Sequence, residues 1–205
     1  MRGRPRSIRE ETILDAARDV FRAEGHAATT AEIARRAGVS EGILFYRYKT
    51  KEALLAAAIA RESAPSPELL AMWERAGKGS LAENLEMLIE SVLETVERVH
   101  PLFELAISSP ASQLIRDALL TTAPKPAPER MVDAIAHFLD AETKHGRLRA
   151  IDTRVTGATL FGAVVEFVRS RQFAAVRIGR TAFVRGFADL LMNGMAIHTP
   201  RKKRG

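Results

Sequence analysis

Apolar residues in this chain recur at helical spacing in nearly every long segment, and nowhere do they alternate with polar ones for long. Residues 8–24 set Ile13, Leu14, Ala17, Val20 and Phe21 on one face. Beyond residue 80 the same spacing joins Leu81, Leu85, Leu88, Ile89, Val92, Val96 and Val99. Residues 129–144 repeat it with Val132, Ile135, Phe138 and Leu139, and two further helices are expected over about 153–172 and 179–195. Strands need a period of two, so strand content is expected to be close to nil and the fold all-α.

Capping chemistry divides the N-terminal quarter. Ser7-Ile8-Arg9-Glu10 has capping-box spacing at the first helix, and Gly25 is its expected stop. Thr29-Thr30-Ala31-Glu32 opens a second, short helix ending near Arg36. Ser40 is expected to cap a third helix and Thr50 a fourth that runs to about Glu62. Ser63-Ala64-Pro65-Ser66-Pro67 then breaks the pattern. His100-Pro101 and Ser109-Pro110 read as helix starts with proline in the first position, and residues 121–128 as a loop.

The formal charge is +6, but its distribution is uneven: +4 on residues 1–9, −1 on 10–62, −1 on 63–200, and +4 on 201–204. A near-neutral body with a basic arm (1–9) and a basic tail (201–205) points to an anionic partner. No run reaches the roughly 20 apolar residues of a membrane span, and MRGRPRSIREE lacks the apolar stretch of a secretory signal, so a cytoplasmic location is expected. With no cysteine there is no disulfide framework and no thiolate nucleophile or metal ligand.

Residues 29–42 carry the most specific pattern: Thr29-Thr30-x-x-Ile33-Ala34-x-x-Ala37-Gly38-Val39-Ser40-x-Gly42. Ala34 and Ala37 are small enough for two helices to cross closely, Gly38 tolerates the positive φ of a tight turn, and Val39 and Leu44 are expected to pack inward. This is the arrangement of a helix-turn-helix, whose second helix enters the DNA major groove. Thr29, Thr30, Ser40 and Lys51 are phosphate candidates, at or next to helix starts. Glu41, Gly42, Ile43, Tyr46 and Arg47 are candidate base readers: Ile43 suits a thymine methyl, Glu41 a cytosine amino group, and Arg47 guanine or phosphate. Phe45 is expected to pack between helices, while Arg35 and Arg36 fit either a solvated face or DNA.

Residues 12–55 closely resemble the N-terminal domain of the tetracycline-repressor (TetR) family, through Ile13-Leu14-x-Ala16-Ala17, Phe21-x-x-x-Gly25, the motif above, and Lys51-Glu52-x-Leu54. The family's common Leu-Tyr-x-His-Phe is replaced here by Leu44-Phe45-Tyr46-Arg47-Tyr48. The resemblance implies an N-terminal three-helix helix-turn-helix domain (10–62) and a helical effector-binding and dimerisation domain (63–200). It also implies a homodimer on a palindromic operator, with the last two long helices at the dimer interface.

Phe161, Gly162, Val165, Phe183, Phe187 and Leu190 are the interface candidates, against the alternative of ordinary intrachain packing. An effector pocket is expected between helices of residues 80–172, with Trp73, Met87, His100, Phe103, Glu104, Phe138 and Phe161 as candidate walls and polar groups. The effector itself is an unidentified small molecule, and no cofactor or metal is implied.

The arm holds Gly3-Arg4-Pro5 between Arg2 and Arg6, a pattern like the core of an AT-hook, which sends Arg4 into a narrow A·T minor groove. The RKKR tail is read as solvated, with added DNA affinity as the alternative. An enzymatic reading finds neither His-Glu-x-x-His nor Gly-x-Ser-x-Gly. The expectation is therefore a non-enzymatic, ligand-responsive repressor that contacts no membrane. The alternative is a DNA-binding regulator without an effector, in an activating or architectural role.

Overall fold

A computed structural model describes residues 10–122, 125–172 and 177–195. These residues form ten α-helices: α1 (Glu10–Glu24), α2 (Thr30–Ala37), α3 (Glu41–Tyr48), α4 (Lys51–Glu62), α5 (Pro67–Arg75), α6 (Leu81–Ser108), α7 (Ser112–Thr122), α8 (Ala127–Lys144), α9 (Thr153–Gln172) and α10 (Arg180–Met195). No β-strand occurs among the described residues, in agreement with the missing two-residue period. None of these helices is long and apolar enough to cross a membrane.

Two compact units form. The first takes the described residues up to Ala64 together with Arg98–Ala127. Ile13, Ala17, Val20 and Phe21 of α1 pack in its core with Ile33 of α2, Leu44 of α3 and Leu54 and Ile59 of α4. Leu102 and Ala106 of α6 and Ile115 of α7 complete that core. The second unit takes Pro65–Glu97 and the described residues from Pro128 onward. Its core is built on Leu85, Leu88, Ile89 and Val92 of α6, Ile135, Phe138 and Leu139 of α8, and Leu160 and Val164 of α9.

Local signals set most helix ends. Thr29, Thr50 and Ser66 each accept a backbone N–H three residues on, from Glu32, Ala53 and Leu69. Ser66 and Pro67 thereby start α5, where the sequence pattern suggests only an interruption; Leu69 and Met72 bury its inner face.

Gly25 stops α1 as expected, and the chain continues in a single 3-10 turn, Gly25–Ala27. Two expectations are corrected. Pro101 does not start a helix, because α6 runs through it without a break. Proline removes one N–H from the ladder, while the burial of Val99, Leu102 and Ala106 on either side holds the continuous helix in place. After Pro110 the next helix begins only at Ser112, where Ser109 turns the chain by accepting the Ala111 N–H (3.1 Å) and the Ser112 N–H (3.0 Å).

Candidate nucleic-acid interface

The turn between α2 and α3 is closed by Gly38 at φ 67°, ψ 33°, with the Val39 N–H donating to Ala34 O at 3.0 Å. A side chain at that φ is strained, so glycine is favoured here. Ala34 and Ala37 are buried, as close helix crossing demands. Within α3, Leu44 is buried and Tyr48, four residues on, is half-buried. These two define the inward face, and Glu41, Gly42, Phe45, Tyr46 and Arg47 are exposed, with Ile43 half-buried.

Phe45 therefore does not pack between helices: it is 46% exposed, one residue (about 100°) past Leu44 on the helix. The spacing of Leu44 and Tyr48 carries that signal in the sequence. Tyr46 is 79% exposed. Among the described residues a Cβ on Gly42 would meet nothing nearer than Ser40 Oγ at 3.9 Å, so none of their contacts demands glycine there.

Polar groups divide into those engaged by side chains and those resting on carbonyls. Thr30 Oγ1 donates to Glu41 Oε1, tying the start of α2 to the start of α3. Ser40 occupies the N-cap position of α3 but makes no side-chain cap bond, unlike Thr29 and Thr50. Glu32 accepts from Arg35 (2.7 and 2.6 Å) and Arg36 (3.1 Å). Those hydrogen bonds, Arg35 first, hold its carboxyl down at about 2. The two arginines thus spend charge on their own helix.

Lys51 Nζ donates to His26 O at 3.0 Å and Lys49 Nζ to Tyr46 O at 2.8 Å, so both ammoniums rest on neutral carbonyls. Tyr48 OH donates to Glu10 Oε1 at 3.4 Å; burial first, then the Glu10 charge, pushes its phenol up to about 12. The arm with Arg4 and the RKKR tail lie outside the described residues.

The other candidates fall in both units. Phe103 packs against the core of the first unit, where His100 Nε2 lies 3.6 Å from Glu104 Oε1. In the second unit Phe138 is wholly buried, Phe161 packs at the edge of the core, and Trp73 donates to Ala134 O with its ring 4.3 Å from that of His137. Met87 lines a shallow depression beside Glu90 and Arg180. Of the seven expected pocket residues, this places three in the first unit and four in the second. Among the described residues no group of three or more His, Asp or Glu is placed to hold a metal ion.

On α9 and α10, Phe183 stacks on Phe167 with centroids 4.0 Å apart and stands 5.7 Å from Phe187. Phe161 and Val165 are half-buried and Leu190 is 66% exposed. The glycines behave in two ways. A Cβ on Gly157 would stand 3.2 Å from Val132 O, so this residue serves packing of α9 on α8. Among the described residues, a Cβ on Gly162 or Gly186 would meet no atom within 4 Å.

Residues 13–58 match the model of the bacterial regulatory proteins, tetR family. The chain is 30% identical over 124 residues to the uncharacterized HTH-type transcriptional regulator YvkB of Bacillus subtilis (strain 168), covering 59% of this chain and 62% of that protein. It is 49% identical over 51 residues to the HTH-type transcriptional regulator BetI of Klebsiella pneumoniae (strain 342), covering 24% of this chain and 26% of that protein. The chain therefore spans less than two thirds of either curated relative.

The fold matches a TetR-family transcriptional regulator from Mesorhizobium loti (TM-score 0.73, 18% identity, 91% of this chain and 96% of that one). It also matches the transcriptional regulator FadR of Bacillus subtilis, solved in complex with stearoyl-CoA (TM-score 0.62, 21% identity, 93% and 100%). Residues 13–58 are thus similar to the N-terminal domain of the tetR family of bacterial regulatory proteins, and the chain shares the fold of solved TetR-family regulators.

Proposed function

We propose that the chain is a sequence-specific transcriptional regulator without catalytic activity, which binds a palindromic operator as a homodimer in the cytoplasm and is released as a repressor by a small-molecule effector. The observation that carries the DNA-binding reading is the face of α3: Leu44 anchors the helix from behind while Glu41, Gly42, Phe45, Tyr46 and Arg47 are presented together to solvent. The bare Gly42 lets the backbone of α3 approach base edges, and Tyr46 and Arg47 supply hydrogen-bonding groups. Thr29, Ser40 and Lys51 stand at helix starts, where backbone N–H groups meet phosphate.

The open glycines Gly162 and Gly186, beside Leu190, support a dimer through α9 and α10, since glycine inside a helix costs about 1 kcal/mol unless a close neighbour needs the space. A two-fold dimer would carry its two recognition helices to half-sites about one helical turn apart. The stearoyl-CoA held by FadR supports the effector reading, as a ligand carried on this fold.

Selection of genomic fragments by the purified chain tests the proposal. Enrichment of an inverted repeat is the expected result, and recovery of fragments without a common sequence overturns it. Addition of candidate effectors to the bound complex then separates a ligand-released repressor from a regulator that needs no effector.

A further inference from the structure

Lys49 is the sole non-glycine residue with positive φ among the described residues, at φ 64°, ψ −45°. The Thr50 N–H reaches back across it to Tyr48 O at 2.7 Å. A bond spanning two residues around such a φ is the rarer, strained form of γ-turn, which glycine adopts far more cheaply than lysine. Strain of this kind persists where the neighbouring elements over-determine it, and it clusters at functional sites. Here α3 ends with the Lys49 N–H on Phe45 O, and α4 starts two residues later under the Thr50 cap, so no spare residue can absorb the turn.

The side chain follows from the turn. Lys49 Nζ sits 5.2 Å from the centroid of the Tyr46 ring and donates to Tyr46 O, so its ammonium stays beside the most exposed aromatic of the recognition helix. An ammonium has three donors, and one carbonyl uses one of them. Glu32 takes the charges of Arg35 and Arg36, whereas no carboxylate pairs with Lys49 among the ion pairs of the described residues. A cation at the end of the recognition helix, held on a neutral carbonyl and next to Tyr46, is placed for a phosphate beside the groove that α3 enters.

We infer that Lys49 is a DNA-phosphate ligand, and that the chain keeps a strained γ-turn between α3 and α4 in order to hold it there. This rests on the DNA-binding reading above.

Two variants of the full chain test it, on an about 30-bp duplex recovered by selection with the wild-type protein and on a random-sequence duplex of equal length. Lys49→Gln keeps most of the side-chain length without the charge. It is expected to weaken binding to both duplexes by roughly an order of magnitude at 0.1 M salt. The slope of log K against log salt should fall by about 0.9 for each phosphate left without its lysine, or about 1.8 per dimer. Lys49→Gly is expected to weaken binding likewise while raising the melting temperature, because the turn is relieved. A merely structural lysine would leave the salt slope unmoved. Wild-type affinity and slope in both variants overturn the inference, as does a lowered melting temperature in Lys49→Gly. A wild-type chain that recovers no duplex in the selection and does not bind the random-sequence duplex refutes the DNA-binding reading itself, and this inference with it.

Discussion

Gly162→Ala separates the stability of one subunit from that of the proposed dimer, because the two should move in opposite directions. Among the described residues of one subunit a Cβ at this position meets nothing within 4 Å, so alanine adds no clash. It should instead gain the helix-propensity difference of about 1 kcal/mol. In a two-fold dimer packed through α9 and α10 the same methyl enters the interface twice, once from each protomer. Overpacking a close contact costs roughly 1–3 kcal/mol per site, hence about 2–6 kcal/mol per dimer. The dimer dissociation constant should then rise about thirtyfold or more.

Sedimentation velocity over a range of protein concentrations reads that shift, and thermal unfolding of the dilute protein reads the subunit. Gly157→Ala is the control. Its Cβ would lie 3.2 Å from Val132 O inside the subunit, so it should lose stability irrespective of association. A Gly162→Ala protein that melts higher and dimerises as before would refute the interface assignment at this point of α9.

Three further outcomes are expected. Deleting residues 1–6, which contain Arg2, Arg4 and Arg6, should weaken operator binding and lower its salt slope by up to about 0.9 per arginine that contacts phosphate; unchanged affinity and slope would exclude the arm from DNA. The Tyr48 phenol is held protonated up to about 12, from an ordinary value of 10. Its contribution to stability is complete below pH 10 and lost as pH rises to 12; ultraviolet titration of Tyr48 against a Tyr48→Phe protein checks the window, and ionisation near 10 would contradict it. Finally, Glu142 is fully buried, accepts the Asn84 side chain and the Gly77 N–H, each at 3.2 Å, and pairs with Arg147 at 3.1 Å. Glu142→Ala should cost about 3–5 kcal/mol by stranding Arg147. The loss is readable through the fluorescence of Trp73, the sole tryptophan, in the same unit; a loss under about 1 kcal/mol would show that this carboxylate holds little.

The helix-turn-helix was legible in the sequence because each of its parts is local. Thr29 needs only the N–H of Glu32, Gly38 only its own φ, and Thr50 only the N–H of Ala53. The outward orientation of Phe45 and the start of α5 were missed, although Leu44 and Tyr48, four residues apart on α3, and Ser66-Pro67 carried local signals for them. Pro101 was misleading because its exclusion from helices is a local cost, and burial of its neighbours outweighs it. Lys49 carried no signal at all, since lysine has no preference for positive φ and the strain arises only where α3 must end and α4 must begin.

Helical period, caps and turn chemistry act over a few residues, and through them the sequence alone determined an all-helical chain with a DNA-binding motif near its start. Only the tertiary structure decided which residues share a core. Leu102 and Ile115 close the unit that holds α1–α4, although about 40 residues separate Leu102 from Glu62, the end of α4. The same holds for Glu142, whose partners Gly77 and Asn84 lie 65 and 58 residues away. The spacing of a helix says which face is apolar, but what covers that face depends on chain returns that no local pattern encodes.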